Sequence, residues 1–167
     1  MKTEQDQIHE FMVKAQQVTP DRPSLPSVDV RIGRLKWLAE ELCELANAWG
    51  IEIDLNNRGT STENFIAFEF PPSMKQFSND LDAIVAAYDA SLDLIVFAVG
   101  NGVASGTDLQ PGWDEVHASN MSKFIDGYRR EDGKWMKGPS YRPANLKPII
   151  EAQLAAAKNR DAQQSLV

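Results

Sequence analysis

Leu38-Ala-Glu-Glu-Leu-Cys-Glu-Leu45 and Val85-Ala-Ala-Tyr-Asp-Ala-Ser-Leu-Asp-Leu-Ile-Val-Phe-Ala-Val99 decide how this chain folds. Around the first stretch, Leu35, Leu38, Leu42, Leu45, Ala46 and Trp49 recur at helical spacing. That spacing predicts a helix over about Arg31–Trp49, capped by Ser27 or Asp29 and stopped by Gly50. The second stretch predicts a helix over Asn79–Gly100. Between Val85 and Val99 its only polar residues are Tyr88, Asp89, Ser91 and Asp93. Apolar side chains surround it on nearly every side, so it is expected to be central and buried.

Both helices carry acid. Glu40, Glu41 and Glu44 fall within one arc of about 100°, with Glu44 between the other two. Asp89 and Asp93 share a face at i,i+4. Exposed glutamates on a helix are ordinary, and Lys36 or Arg34 offers a salt-bridge partner. Aspartates on a buried helix are not ordinary. Each must be protonated, paired with a base, or bound to a cation. Their helix has no Lys or Arg of its own. The simplest arrangement sets Asp89 and Asp93 opposite the three glutamates with a divalent cation among them. Oxygen-only ligands favour Mg²⁺, or Mn²⁺, over zinc or copper.

Outward from this pair the chain is punctuated by proline and glycine. Ile8, Phe11, Met12 and Ala15 predict a short helix over Gln5–Gln17, ended before Pro20, Pro23 and Pro26. Ile51, Ile53 and Leu55 alternate with polar residues, and Phe65, Phe68 and Phe70 follow a turn-rich segment. That pattern predicts a β-hairpin over Ile51–Phe70. Asp108–Leu146 shows no helical period beyond Phe124 and reads as ordered loop. A last helix opens at Pro148–Leu154. The expected organisation is one all-α domain over residues 1–158, a helical bundle with an insertion at 51–78, followed by a flexible tail at 159–167.

Composition sets limits. The 167 residues are 43% apolar and 25% charged, which suits a globular domain. A net charge of -7 argues against wrapping a nucleic-acid polymer. Cys43 is the one cysteine, so neither an internal disulfide nor a cysteine zinc cage is available. Met1–Gln7 is polar, unlike a signal peptide, and Ile84–Val99 is short and acid-bearing for a membrane span. The expectation is a cytoplasmic protein without membrane contact.

Charge is unevenly placed. Ser119–Lys147 carries seven basic residues against three acidic ones, a local +4. Lys123, Lys134 and Lys137 lie in this stretch with glycines. It suits phosphate groups, or equally an acidic surface on a neighbouring subunit. His9 and His117 show no metal-ligand spacing.

Four stretches together resemble a known family. They are Phe11-Met-Val-Lys-Ala-Gln-Gln17 with Pro20-Asp-Arg-Pro23; Arg34 with Leu38–Leu45; Asp89-Ala-Ser-Leu-Asp93 running to Gly106-Thr-Asp-Leu109; and Glu115-Val-His-Ala-Ser-Asn-Met-Ser-Lys123 with Asp132-Gly-Lys134 and Lys137-Gly-Pro-Ser-Tyr-Arg-Pro143. The chain resembles the all-α nucleoside triphosphate pyrophosphohydrolases, and within them the phosphoribosyl-ATP pyrophosphohydrolase-like branch related to MazG enzymes. The resemblance implies a helical bundle that hydrolyses an NTP or dNTP to the monophosphate and pyrophosphate with Mg²⁺, as nucleotide-pool housecleaning. It implies Glu40, Glu41, Glu44, Asp89 and Asp93 as metal carboxylates, with Glu41, or Glu40, as general base. It implies Arg34, Asn120, Lys123, Lys134, Lys137 and Tyr141 on the substrate side. The chain departs from many relatives in two ways. Ala90 stands where they carry glutamate, and 45 residues separate Glu44 from Asp89. Phosphoribosyl-ATP hydrolysis and a non-catalytic nucleotide-binding or oligomeric helical protein are the competing readings. A homodimer or homotetramer is expected, with Phe65, Phe68 and Phe70 as candidate contacts.

Overall fold

The computed structural model describes residues 2–54, 67–69 and 79–164. The elements in order are α1 (Glu4–Lys14), α2 (Val28–Ala48), β1 (Glu52–Asp54), β2 (Ala67–Glu69), α3 (Asp80–Ala104), α4 (Gln110–Ser122), β3 (Tyr128–Arg129), β4 (Trp135–Met136) and α5 (Lys147–Gln164). The class is all-α, as expected, with two short antiparallel hairpins. By its contacts the chain divides into two compact units, Ser27–Asn101 and Met1–Pro26 with Gly102–Val167.

In the Ser27–Asn101 unit, Ser27 caps α2 by accepting a hydrogen bond from the Val30 N–H. Gly50 ends it at φ 70°, a left-handed conformation that costs glycine little. The Gly50 and Ile51 N–H groups close on the Asn47 and Ala46 carbonyls. The expected hairpin is present in part. β1 pairs with β2, setting Ile53 opposite Phe68, while the connecting residues, with Phe65 and Phe70, lie outside the described residues. Arg34 ties α2 to α3: its Nε donates to Asn101 Oδ1 at 2.6 Å and an NH2 donates to the Phe97 carbonyl at 3.0 Å. Trp37 stacks near Phe97 with ring centroids 5.6 Å apart.

One expectation fails here. α3 is not buried all round. Ala90 is buried, yet Leu81, Ile84, Val85, Tyr88, Leu92 and Ile95 are exposed. On α2, Leu35 and Trp49 are exposed as well. The apolar pattern is real, but these side chains are left exposed among the described residues. By length and composition α3 is also apolar enough to cross a membrane.

In the other unit, Thr3 and Asp6 form a capping box at the start of α1. Ile8 and Met12 of α1, Val103 and Ala104 at the end of α3, and Ala157 of α5 are buried. Two glutamines clamp the chain after α3. Gln5 donates to the Thr107 carbonyl and accepts from the Leu109 N–H; Gln153 bonds both the N–H and the carbonyl of Asp108.

α1 ends earlier than predicted, at Lys14. Gln16 takes the left-handed conformation there, φ 57°, while the Gln16 and Gln17 N–H groups close on the Val13 and Met12 carbonyls. A non-glycine residue in this position is strained by about 1 kcal/mol. Gln16→Gly is therefore expected to raise the thermal midpoint by a degree or two, measured by circular dichroism; a fall would show that the Gln16 side chain holds something of greater worth.

Two further segments correct the sequence reading. Gln110–Ser122, expected as loop, is helix α4. It lies with Trp113 and Val116 exposed and only Ser119 buried, so no apolar stripe marks it. Its available signals were Pro111 in the first turn and Asp108, whose carboxylate accepts from the Gln110 N–H. α5 continues to Gln164, past the Lys158 where a tail was expected; residues 165–167 lie outside the described residues. Arg160 donates to the Asp21 carbonyl and Asp161 pairs with Arg22 at 2.9 Å, which anchors the added turn.

Candidate active site

The carboxylates of the Ser27–Asn101 unit centre on Glu41. It lies two turns beyond Arg34 on α2, so the bonds from Arg34 to α3 bring its flank of α2 near that helix. The Glu41 carboxyl is raised above the ordinary glutamate range. Burial is the first cause; the negative charges of Glu44, Asp93, Glu40 and Asp89 add to it in that order. All five predicted acids are therefore gathered into one electrostatic group. Glu41 Oε2 is buried and has no hydrogen-bond partner. Glu40, Glu44 and Asp89 are exposed, and Asp93 is half-buried.

These groups fit a divalent cation in donor chemistry: an orphaned buried carboxylate oxygen with four further carboxylates around it. Among the described residues, no three acidic, His or Cys side chains converge closely enough to hold an ion as they stand. Like charges repel one another, and a bound cation would offset that repulsion. Ala90, in place of the expected glutamate, is buried at 4% exposure and offers no ligand.

Arg34, implied on the substrate side by the resemblance, links the two helices in this structure. It is only 6% exposed, and burial draws its pKa down. Its bonds to Asn101 and Phe97 make it a strut between α2 and α3.

The other predicted residues lie in the second unit and form a cationic group around Tyr141. Lys137 Nζ sits 4.3 Å from the Tyr141 ring centroid and Lys123 Nζ 5.9 Å from it. Lys123 also donates to Asn120 Oδ1 at 2.8 Å. The Tyr141 hydroxyl is held below the ordinary phenol range, first by its hydrogen bond with Ser119 and then by Lys137 and Lys123. Asn120, Lys123, Lys137 and Tyr141 thus come together. Lys134 does not join them by any contact; it sits in the β3–β4 turn, its N–H bonded to Asp132.

Three supporting residues were not singled out from sequence. Ser119 is buried, and its Oγ donates to the Arg142 carbonyl at 2.7 Å, fixing the chain beside Tyr141. Asp126 accepts the Ser140 N–H. Glu115 holds Arg142 at 2.5 Å and accepts the Asn145 N–H at 2.8 Å. The only sequence signal was their place in or near Glu115–Lys123.

The Glu115 carboxyl is consequently held below its ordinary value. A depressed carboxylate stabilises the fold above its unfolded pKa and loses that contribution as pH falls through the folded value. Acidification below about pH 4.5 is therefore expected to weaken the loop anchorage. Amide hydrogen exchange at Arg142–Asn145 checks this: exchange, corrected for its intrinsic pH dependence, should rise on acidification in the native chain and be largely pH-independent in Glu115→Gln.

No protein-family model matches the chain, and no curated protein matches it.

Proposed function

We propose that the chain is a Mg²⁺-dependent nucleoside triphosphate pyrophosphohydrolase that releases a nucleoside monophosphate and pyrophosphate. The observation that carries this reading is the Glu41 carboxylate, buried and unpartnered at Oε2 among four other carboxylates. A purely structural helix pair gains nothing from such a group, which costs about 1–3 kcal/mol when left unsatisfied. The resemblance of the EExxE, aspartate-pair and HxSNMSK stretches supplies the reaction class.

Glu40, Glu44, Asp89 and Asp93 would hold Mg²⁺, with Glu41 at their centre. When bound, the ion would offset charge on the transferring phosphoryl group and acidify a bound water. Glu41, at the centre of the group, would serve as general base toward that water. Arg34 positions the helix that carries it. Within their own unit, Lys123 and Lys137 carry positive charge that suits phosphate groups, and Tyr141 spaces them.

The roles separate in kinetics. Lys137→Ala and Lys123→Ala are each expected to raise KM about tenfold, with a smaller effect on kcat, because a charge-assisted contact present in both ground and transition states is lost. Pyrophosphate release from each common NTP and dNTP, with Mg²⁺ and with excess EDTA, tests the activity. Release that EDTA abolishes is expected. Equal release with and without EDTA would overturn the metal dependence, and no release with any nucleotide would favour the non-catalytic reading.

A further inference from the structure

A cavity of about 570 Å³ opens in the unit formed by Met1–Pro26 with Gly102–Val167, where the first turns of α1 meet the segment between α3 and α4. That volume falls within the ~300–1,000 Å³ of small-molecule sites. Asp6 and His9 line it from α1, Asp108 and Gln110 line it from the α3–α4 segment, and Pro20 and Val103 add apolar surface. The Gln5 amide ties the two walls together. It donates to the Thr107 carbonyl and accepts from the Leu109 N–H, which brackets Asp108. Gln153 of α5 fixes the backbone of Asp108 through its N–H and its carbonyl.

The lining is charged one way. Among the described residues around the cavity there is neither Lys nor Arg. Each aspartate uses one carboxylate oxygen locally: Asp6 Oδ2 accepts the Thr3 N–H, and Asp108 Oδ1 accepts the Gln110 N–H. Neither carboxylate has a further hydrogen bond or an ion pair among the described residues. The Gln110 amide N–H is already given to Asp114, which leaves its oxygen as a further acceptor. We propose that this cavity binds a linear aliphatic polyamine, with an ammonium group at each aspartate and the intervening methylenes against Pro20 and Val103. Two carboxylates without a neighbouring cation attract ammonium donors and repel phosphates and other anions. The methylenes gain by leaving water, which a bare ion of the same charge does not. A metal ion suits the cavity less, because no three acidic, His or Cys side chains converge among the described residues. None of these residues belongs to the carboxylate group around Glu41, so the polyamine site stands or falls separately from the hydrolase reading.

Spermidine titrated into the isotope-labelled full chain, followed by amide NMR in EDTA and about 150 mM KCl, tests it. The salt suppresses diffuse attraction to the net charge of -7. Saturable shifts are expected at Thr3–His9 and Gly106–Gln110. Asp6→Asn and Asp108→Asn keep an oxygen for the local hydrogen bond and remove the charge, and each should weaken binding about fivefold. Glu131→Gln, which removes an exposed acid away from the cavity, should leave it unchanged. Butylamine, with one ammonium group, should bind at least about tenfold more weakly than spermidine. That comparison uses the unaltered chain, so it decides the matter even if a variant does not fold. Shifts confined to Glu40–Glu44 and Asp89–Asp93, shifts that follow every exposed acid alike, unaltered affinity in both aspartate variants, or butylamine binding as tightly as spermidine would each overturn the proposal.

Discussion

Glu41→Gln is expected to abolish turnover, by at least about 100-fold, and at the same time to stabilise the metal-free protein. The two effects have one cause. Glu41 is half-buried, is raised in pKa by burial and by four neighbouring acids, and has a buried Oε2 without a hydrogen-bond partner. Replacing the carboxylate by an amide removes the charge and keeps the shape. The fold then gains about 1 kcal/mol, a rise of about 2–4 °C in thermal midpoint.

The pH dependence follows with a definite sign. Because its folded pKa is raised, Glu41 favours the fold most below its unfolded pKa, and that advantage is lost as pH rises through the folded value. The stability difference between Glu41→Gln and the native chain should therefore widen from acidic toward neutral pH in EDTA. Mg²⁺ should narrow it by stabilising the native chain, in which the Glu41 charge adds to the group around the ion, more than the variant. Calorimetric scans of both proteins at several pH values, with Mg²⁺ and with EDTA, check all three statements. A variant less stable than the native chain in EDTA would show that Glu41 has a structural partner after all. Full turnover by the variant would remove Glu41 from the base role.

Gly106→Ala is expected to be strongly destabilising, at about 3 kcal/mol. Gly106 ends α3 at φ 65°, and a Cβ placed there would lie 2.0 Å from the Arg22 carbonyl oxygen and 2.9 Å from that of Pro20. Both obstacles are backbone, held close because the Ser24 N–H donates to the Ser105 carbonyl at 2.9 Å. Neither can rotate away. Gly50 provides the control. It has nearly the same φ, 70°, and among the described residues nothing lies within 4 Å of its would-be Cβ. Gly50→Ala should cost only the conformational strain, about 1 kcal/mol. Chemical denaturation of the two variants separates strain from collision; equal losses would mean that the Pro20–Ser24 segment moves aside freely.

The sequence was most informative where local chemistry and packing agree. Ser27 and Gly50 bound α2 because a hydroxyl cap and a left-handed glycine act within a few residues. The acid group was legible because helical spacing sets Glu40, Glu41 and Glu44 on one flank, and apolar surroundings make Asp89 and Asp93 conspicuous. What was not legible depends on partners distant in the chain. α4 has no apolar stripe because one small residue, Ser119, is all it buries. The last turns of α5 rest on Arg22 and the Asp21 carbonyl, more than a hundred residues away. Arg34 stood out in the sequence, but its bonds to Asn101 and the Phe97 carbonyl, more than sixty residues away, did not. α3 showed the reverse error: an all-round apolar helix was read as buried within one chain, and six of its large side chains face outward.

Phosphorus NMR of the purified protein with Mg²⁺ and each common NTP and dNTP in turn tests the central claim most directly. Growth of nucleoside monophosphate and pyrophosphate resonances together, one for one, is the predicted result, and their loss in Glu41→Gln ties it to the carboxylate group. Nucleoside diphosphate with orthophosphate, or unchanged triphosphate in the presence of folded protein and Mg²⁺, would contradict it.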